Sequence, residues 1–226
     1  MSKRLVPGTD ILRLMEDGSF VAGDATNYCE NRPDGEIILH GTARAWKSQD
    51  LKPAALKLPA AAPPAEDEYD GFAFHRFDRG TEEQVYFLWH VPDDYAAGDA
   101  SVRGYYGFFV ENPPAAETAD ENVRMGFEYK KISDGDVFSF ASGTSSGYLD
   151  ETIAQGEAAY TWHETATGAC TTTGWEHGDT VLFGFYRDAT AVEDTYDNEA
   201  SAADNDVWVG VYHLEYLRDT LGTPST

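Results

Sequence analysis

From Phe72 onward the chain is a succession of short runs rich in Val, Phe, Tyr and Trp, each bounded by Gly, Pro, Asp or Asn. Runs of this length and composition are typical of β-strands separated by turns. The clearest is NVRMGFEYKK, in which Val123, Met125, Phe127 and Tyr129 alternate with mostly charged side chains, as a strand with one buried face requires. The runs predict strands at 72–78, 84–91, 102–110, 123–132, 136–141, 157–164, 179–187 and 206–216.

Helical periodicity is weak throughout. ETIAQGEAA has room for one or two turns, but Gly156 interrupts it. TVLFGFYR and VWVGVYHLEY are apolar on both faces, which is typical of strands between two layers or between a core and a partner. The pattern predicts an all-β fold, a single jelly roll in the form of a Greek-key sandwich or barrel. An immunoglobulin-like sandwich is the neighbouring alternative.

The first 70 residues differ in composition from the rest. Strands are predicted in DILRLM and EIILHGTARAW, and LKPAALKLPAAAPPAEDEYDG has the Pro and Ala content of an extended surface connector. We therefore expect residues 1–70 to form an N-terminal arm or extra strands with a connector. Residues 71–226 are expected to form the jelly-roll domain.

The charge is strongly acidic, with 40 Asp and Glu against 16 Lys and Arg and a formal net charge of −24. Such a surface repels polyanions, so nucleic acid is not an expected partner. It is typical of proteins adapted to high salt, where the screening length falls to about 3 Å at 1 M. An ordinary acidic protein is the alternative.

Targeting and redox signals are few. No run of about 18 apolar residues is present, and MSKRLVPGTD lacks the apolar core of a signal peptide, so we expect synthesis in the cytoplasm. Cys29 and Cys170 lack metal-ligand spacing. A bridge between them, a bridge to another chain and two buried thiols all remain open.

No catalytic residue is predicted. The six histidines include no pair at the spacing that places two imidazoles on one metal, ASGTSSGYLD reads as a Ser/Gly loop, and nucleophile and phosphate motifs are missing. We therefore expect neither an enzyme nor a small-molecule substrate.

An acidic loop at 192–206, VEDTYDNEASAADND, is the weak candidate for a metal site. Its carboxylates could supply oxygen ligands to structural cations such as Ca²⁺, Na⁺ or K⁺, although a charged loop of this kind is usually only solvated. The candidate ligands are Glu193, Asp194, Asp197, Asp204 and Asp206.

Aromatic residues make up 13% of the chain and cluster in the predicted strands, where their first role is core packing. Tyr148, Trp162 and Trp175 lie in or near predicted loops. There they are candidates to contact a neighbouring subunit or a glycan, or to fill a satellite core.

Two stretches resemble a known family. FLWHVPDDYAAGDASVRGYYGFF turns at Pro92, Asp93 and Asp94 before Gly98, and VRMGFEYKKISDGDVFSF turns at Asp134–Gly135. In an acidic all-β chain of 24.9 kDa they resemble the small single-jelly-roll major capsid proteins of icosahedral, internal-membrane viruses of haloarchaea. The match covers about 84–140 by motif and 72–216 by strand pattern.

This resemblance implies an upright β-barrel that assembles with itself and with a second capsid chain into capsomers. It also implies a lipid membrane beneath the shell, and a location in the virion after synthesis in the host cytoplasm. Because subunits of this charge repel each other, we expect assembly to need molar salt or bound cations.

The alternative function is a carbohydrate-binding β-sandwich module that acts in receptor binding or glycan recognition, with Trp162 and Trp175 as its candidate contacts. An enzyme of cupin or glycosidase type is the third alternative, and the missing histidine motif counts against the cupin.

Overall fold

The computed structural model describes residues 3–4, 11–24, 26–41, 44–98, 100–114, 119–140, 145–196 and 206–221. Over these ranges the regular structure is almost entirely β-strand, with a 3-10 turn at Pro53–Ala55. No helix in this described part of the chain is long and apolar enough to cross a bilayer.

The N-terminal strands form a small antiparallel meander, in which each strand pairs with the next along the chain. The last described strand, at Thr220–Leu221, returns to pair with the end of this meander. The meander strands are β1 (Lys3–Arg4), β2 (Ile11–Leu14), β3 (Phe20–Gly23), β4 (Tyr28–Asn31) and β5 (Ile37–Leu39).

The other strands build a sandwich of two antiparallel sheets. In chain order they are β6 (Ala45–Leu51), β7 (Ala65–Tyr69), β8 (Phe72–Phe77), β9 (Glu83–His90), β10 (Val102–Val110), β11 (Glu121–Ile132), β12 (Ser145–Ile153), β13 (Trp162–Glu164), β14 (Gly168–Ala169), β15 (Thr180–Arg187) and β16 (Val207–Arg218). The strand that returns to the meander is β17.

The order of strands defines the fold. The large sheet runs β13–β10–β16–β8–β7, with β14 on β10 and β6 on β16, and the small sheet runs β12–β11–β15–β9. The chain passes repeatedly between the sheets, so that β8 pairs with β16 in one sheet and β9 with β15 in the other. This is the path of a jelly roll. The predicted all-β jelly-roll sandwich is confirmed, and the pairing excludes the immunoglobulin-like alternative.

The core lies between the two sheets and is mainly aromatic. On β11 the side chains of Val123, Met125 and Phe127 are buried, as their alternation predicts. The hydroxyl of Tyr106, in the large sheet, donates a hydrogen bond to the carbonyl of Gly126 in the small sheet. Each sheet therefore covers the apolar face of the other and satisfies a polar group within it.

Some strand predictions were wrong. Residues 136–141 are not a strand over their described part, and Val137 and Phe138 are exposed to 74% and 62%. The strand that follows β11 is instead β12, which includes part of the Ser/Gly segment ASGTSSGYLD that was predicted to be a loop. A Cβ on Gly147 would lie 2.9 Å from the Phe127 ring. Glycine is therefore required here by packing between strands and not by a turn. The strand predicted at 157–164 is reduced to β13.

The predicted boundary near residue 70 falls in the tight turn that joins β7 to β8. β6 and β7, which lie within the stretch assigned to the arm and connector, pair with β16 and β8 of the large sheet. Both cysteines are free thiols. Cys170 is buried and Cys29 is half-buried, and burial raises the pKa of the Cys170 thiol far above its usual value.

Candidate functional site

The outer face of the large sheet carries an aromatic cluster that is separate from the main core. Phe74, Phe109 and Trp208 pack together there, and Tyr160 lies against them. The rings of Phe109 and Trp208 stack with centroids 5.5 Å apart, and Tyr69 stacks on Tyr160 at 4.3 Å. Since the inner face of the same strands fills the main core, the sheet is apolar on both sides at this cluster.

Trp162 extends this cluster toward solvent. Its indole ring lies over Gly107 and Gly210, where a side chain at Gly107 would collide with it. The pairing of β10 with β16 shifts by one residue beside Gly107, which leaves Gly210 unpaired in a β-bulge. The indole is 45% exposed, and its N–H donates to Glu164 Oε1 at 3.3 Å. The exposed indole of Trp162 thus packs directly against the backbone of two glycines.

Phe72 stands beside Trp162 at the end of the β7–β8 hairpin and is 70% exposed. The two rings border a groove of about 510 Å³, in which Lys52 supplies the charged side chain. We call the exposed aromatic residues Tyr69, Phe72 and Trp162 the front patch. Trp162 was a sequence candidate. Phe72 was not, and its signal is a Phe directly after an Asp-Gly turn.

Polar groups continue along the same face. Tyr105 and His213 stack with centroids 3.9 Å apart, and His213 Nδ1 lies 2.6 Å from Asp50 Oδ1. The guanidinium of Arg103 lies 4.0 Å over the ring of Trp46, which is 39% exposed. This face therefore combines flat rings with hydrogen-bonding groups.

The outer face of the small sheet carries a second apolar surface. Tyr86 and Phe140 stack with centroids 5.6 Å apart, and Leu88 and Phe138 remain 44% and 62% exposed. They border a groove of about 520 Å³, which we call the back groove; its lining residues are Lys57, Gln84, Tyr86, Phe87, Leu88, Phe138, Ser139, Phe140 and Leu182. Sequence reasoning missed it because it placed 136–141 in a strand.

Two lysines shape the back groove. Lys130 Nζ donates to the carbonyls of Val137 and Ser139, at 3.2 and 2.9 Å, and so fastens the loop that forms one wall. Lys57 is exposed at the rim, and no carboxylate among the described residues pairs with its ammonium. The rim therefore presents a positive charge on a chain that is otherwise strongly negative.

Tyr148 lies on the outer face of β12 and is 50% exposed. Its ring meets that of Tyr186 edge-on at 6.3 Å, and the guanidinium of Arg124 lies 5.0 Å from it. The structure places Tyr148 away from Trp162, since the two are on different sheets. They do not form one site.

The proposed role of Trp175 as a contact residue is corrected by the structure. Its side chain is 5% exposed and packs in the core against Trp89, Tyr129 and Phe183. Its sequence neighbours are turn-forming, but the turn folds the ring inward. Trp175 can therefore touch neither a glycan nor a neighbouring subunit.

The acidic loop is used for ion pairs where the structure describes it. Glu193 lies 2.9 Å from Arg124, Asp194 lies 2.8 Å from Arg187, and Asp206 lies 3.0 Å from Arg76. The candidates Asp197 and Asp204 lie outside the described residues. Three of the five proposed cation ligands thus face arginines.

Within the described ranges, no group of three or more His, Cys, Asp or Glu side chains is placed to hold a metal ion. His75 is fully buried and its Nδ1 lies 2.8 Å from the Tyr212 hydroxyl. His163 Nε2 lies 2.9 Å from Glu157 Oε1, with the ring stacked on Phe108. Each of these histidines is accounted for by a structural contact.

Comparison with known proteins adds little. No protein-family model matches the sequence, and no curated protein matches it. Among solved structures, the carbohydrate-binding module TmCBM61 in complex with β-1,4-galactotriose aligns with 77% of this chain and 85% of its own. The TM-score is 0.27 and the identity 11%, and at this level the likeness carries no conclusion about function.

Proposed function

We propose that this chain is a structural subunit of a virion shell, which acts by binding copies of itself through the outer faces of its sandwich. The observation that carries the proposal is the position of the exposed apolar side chains. The front patch lies on the outer face of the large sheet and the back groove on that of the small sheet. Contiguous exposed apolar surface marks interaction sites.

Two different surfaces on opposite faces favour association in one direction. A surface that binds itself closes a two-fold dimer, whereas contact between two unlike surfaces continues into rings or extended arrays. Repetition of this kind is what a shell subunit needs.

The charge of the chain sets the conditions for assembly. At a net charge of −24 the subunits repel one another at low ionic strength, and molar salt screens this repulsion beyond about 3 Å. The side chains of the front patch are uncharged, so contact there removes few charges from water. Assembly is therefore expected in concentrated salt.

The sequence resemblance adds two further parts to this proposal, a second capsid chain in the capsomer and a lipid membrane under the shell. Neither is required for self-association through the two faces. Both can be added to the purified protein once self-association has been measured.

Electron microscopy of the purified protein in molar KCl tests the proposal. We expect rings, sheets or closed particles with a regular repeat, which disperse on dilution into low salt. A field of single, separate molecules at every salt and protein concentration would contradict it.

A carbohydrate-binding module is the second candidate, and the polar groups on the same face of the large sheet as Trp162 favour it. A sugar ring needs an aromatic face to stack on and hydrogen-bonding groups at its edge. Trp162 offers the first, and the Asp50–His213 pair offers the second on the same sheet. Titration with oligosaccharides, followed by tryptophan fluorescence, would show saturable binding that Trp162→Ala removes and Tyr148→Ala leaves intact. No response to any glycan would exclude this candidate.

A further inference from the structure

Resting on the proposed self-association, we infer that the tip of the β7–β8 hairpin in one copy inserts Phe72 into the back groove of the next copy. The tip is the segment from Tyr69 to Phe72. Each contact then has a tip on one copy and a groove on the next, so successive copies follow one another in a single direction.

The hairpin tip is built to present its aromatic residues rigidly. Asp70 and Gly71 both have positive φ, at 50° and 83°, and Tyr69 pairs directly with Phe72 across the turn. A two-residue turn of this type matches the twist of the strands and holds the tip in one conformation. Because the tip is already ordered, binding it costs little conformational entropy.

The back groove has the size and lining to receive one aromatic ring. Its volume is about 520 Å³, and apolar surface is offered by Tyr86 and Leu88 on β9 and by Phe138 in the loop after β11. Its floor includes Leu182, which is only 6% exposed. An aromatic ring that enters the groove is removed from water, and it also covers the exposed side chains of Leu88 and Phe138.

The charges that have no partner at the two surfaces are complementary, since the carboxylate of Glu128, which adjoins the groove, is held by a hydrogen bond from Gln84. β7 and the tip carry Glu66, Glu68 and Asp70, and none of these has an arginine or lysine partner in the described part of the chain. Lys57, at the rim of the groove, has no carboxylate partner among the same residues. In a chain of net charge −24, a free ammonium beside an apolar groove is where an acidic hairpin meets attraction instead of repulsion.

A copy cannot fill its own groove. The hairpin belongs to the large sheet and the groove to the outer face of the small sheet, with the core between them. The contact therefore joins unlike surfaces of two molecules, and any open chain of copies has a free tip at one end and a free groove at the other.

Mixing of two variants tests this geometry. Phe72→Ser removes the aromatic ring from the tip, and Leu88→Asp places a charge in the groove. Circular dichroism with thermal melting is used to check that each variant is folded. Sedimentation velocity in molar KCl is expected to give monomers for each variant alone and a 1:1 dimer for their mixture, since one intact tip then meets one intact groove. Val192→Ser, at a side chain 84% exposed outside both surfaces, is the matched control and should assemble like the wild type.

A charge exchange gives an independent readout. Because molar salt screens an exposed ion pair, Lys57→Glu is expected to weaken association by up to about fivefold, and Glu68→Lys in the partner copy to restore it. If the wild type assembles and both the tip and groove variants assemble equally well, the inference is overturned while the proposed function stands. If the variants are monomeric and their mixture stays monomeric, a different occupant fills the groove and the inference is again overturned. If the wild type itself stays monomeric, the proposed function fails.

Discussion

Arg187 and Asp194 form a two-point ion pair that is almost completely removed from solvent. Arg187 Nη2 lies 2.8 Å from Asp194 Oδ1 and Nε lies 3.0 Å from Oδ2, with the two side chains 0% and 2% exposed. The same guanidinium donates to the carbonyl of Tyr196 at 3.0 Å. The pair thus ties the loop after β15 to the sandwich.

Asp194→Ala is predicted to destabilise the fold by about 3 to 5 kcal/mol, because it removes the buried carboxylate to which Arg187 Nε and Nη2 donate. Glu193→Ala, which removes an exposed partner of Arg124, is the control and should cost no more than about 1 kcal/mol. Chemical denaturation in molar salt measures both. Equal losses for the two variants would show that Asp194 does not act as a buried partner.

His75 should make the free energy of unfolding depend on pH in the acidic range. Burial lowers the pKa of His75 to about 4, while the unfolded chain keeps the ordinary value near 6.5. The folded state thus binds fewer protons between these values, so this residue's contribution is complete above pH 6.5 and is lost as the pH falls toward 4. His75→Gln should flatten the wild-type loss in this range, and the exposed control His177→Gln should not. An unchanged slope in His75→Gln would contradict the prediction.

Glu83 should act in the opposite direction. Burial, together with the nearby carboxylates of Asp78 and Asp206, raises the pKa of Glu83 to about 7 from an ordinary value of 4.5. The folded state binds the extra proton between these values, so stability falls as the pH rises from 4.5 through 7. Glu83→Gln should remove this decline, measured as the free energy of unfolding against pH. Glu82→Gln, at its exposed neighbour, is the control and should keep the decline. If the decline is also unchanged in Glu83→Gln, the prediction is wrong.

Gly107→Ala should destabilise the protein by about 1 to 3 kcal/mol, because the new methyl group meets the Trp162 ring. Trp162→Ala in the same chain makes room for the methyl and should recover part of the loss. A double-mutant cycle by chemical denaturation measures this coupling. Strict additivity of the two substitutions would show that the Trp162 indole does not pack against Gly107.

Sequence reasoning reached most of the sandwich because alternation is a local property. The positions of Val123, Met125 and Phe127 predict which face of β11 is buried without any knowledge of its neighbours. β12 was missed because Gly147 is required by the Phe127 ring, a contact between strands that composition does not show. Turn-forming residues around it then suggested a loop.

The candidate site was harder to predict than the fold. Trp162 and Trp175 have similar sequence surroundings, yet one is 45% exposed and the other 5%. The difference lies in what each turn packs against. Phe72 and Phe138 were assigned to strands as core residues, and their exposure follows from the strand order and from the loop held by Lys130.

Sedimentation velocity of the wild-type chain across a series of KCl concentrations measures its self-association through the two faces. We predict species larger than a monomer in molar salt, which grow with protein concentration and dissociate as the salt is diluted. A single monomeric species at every salt and protein concentration would contradict it.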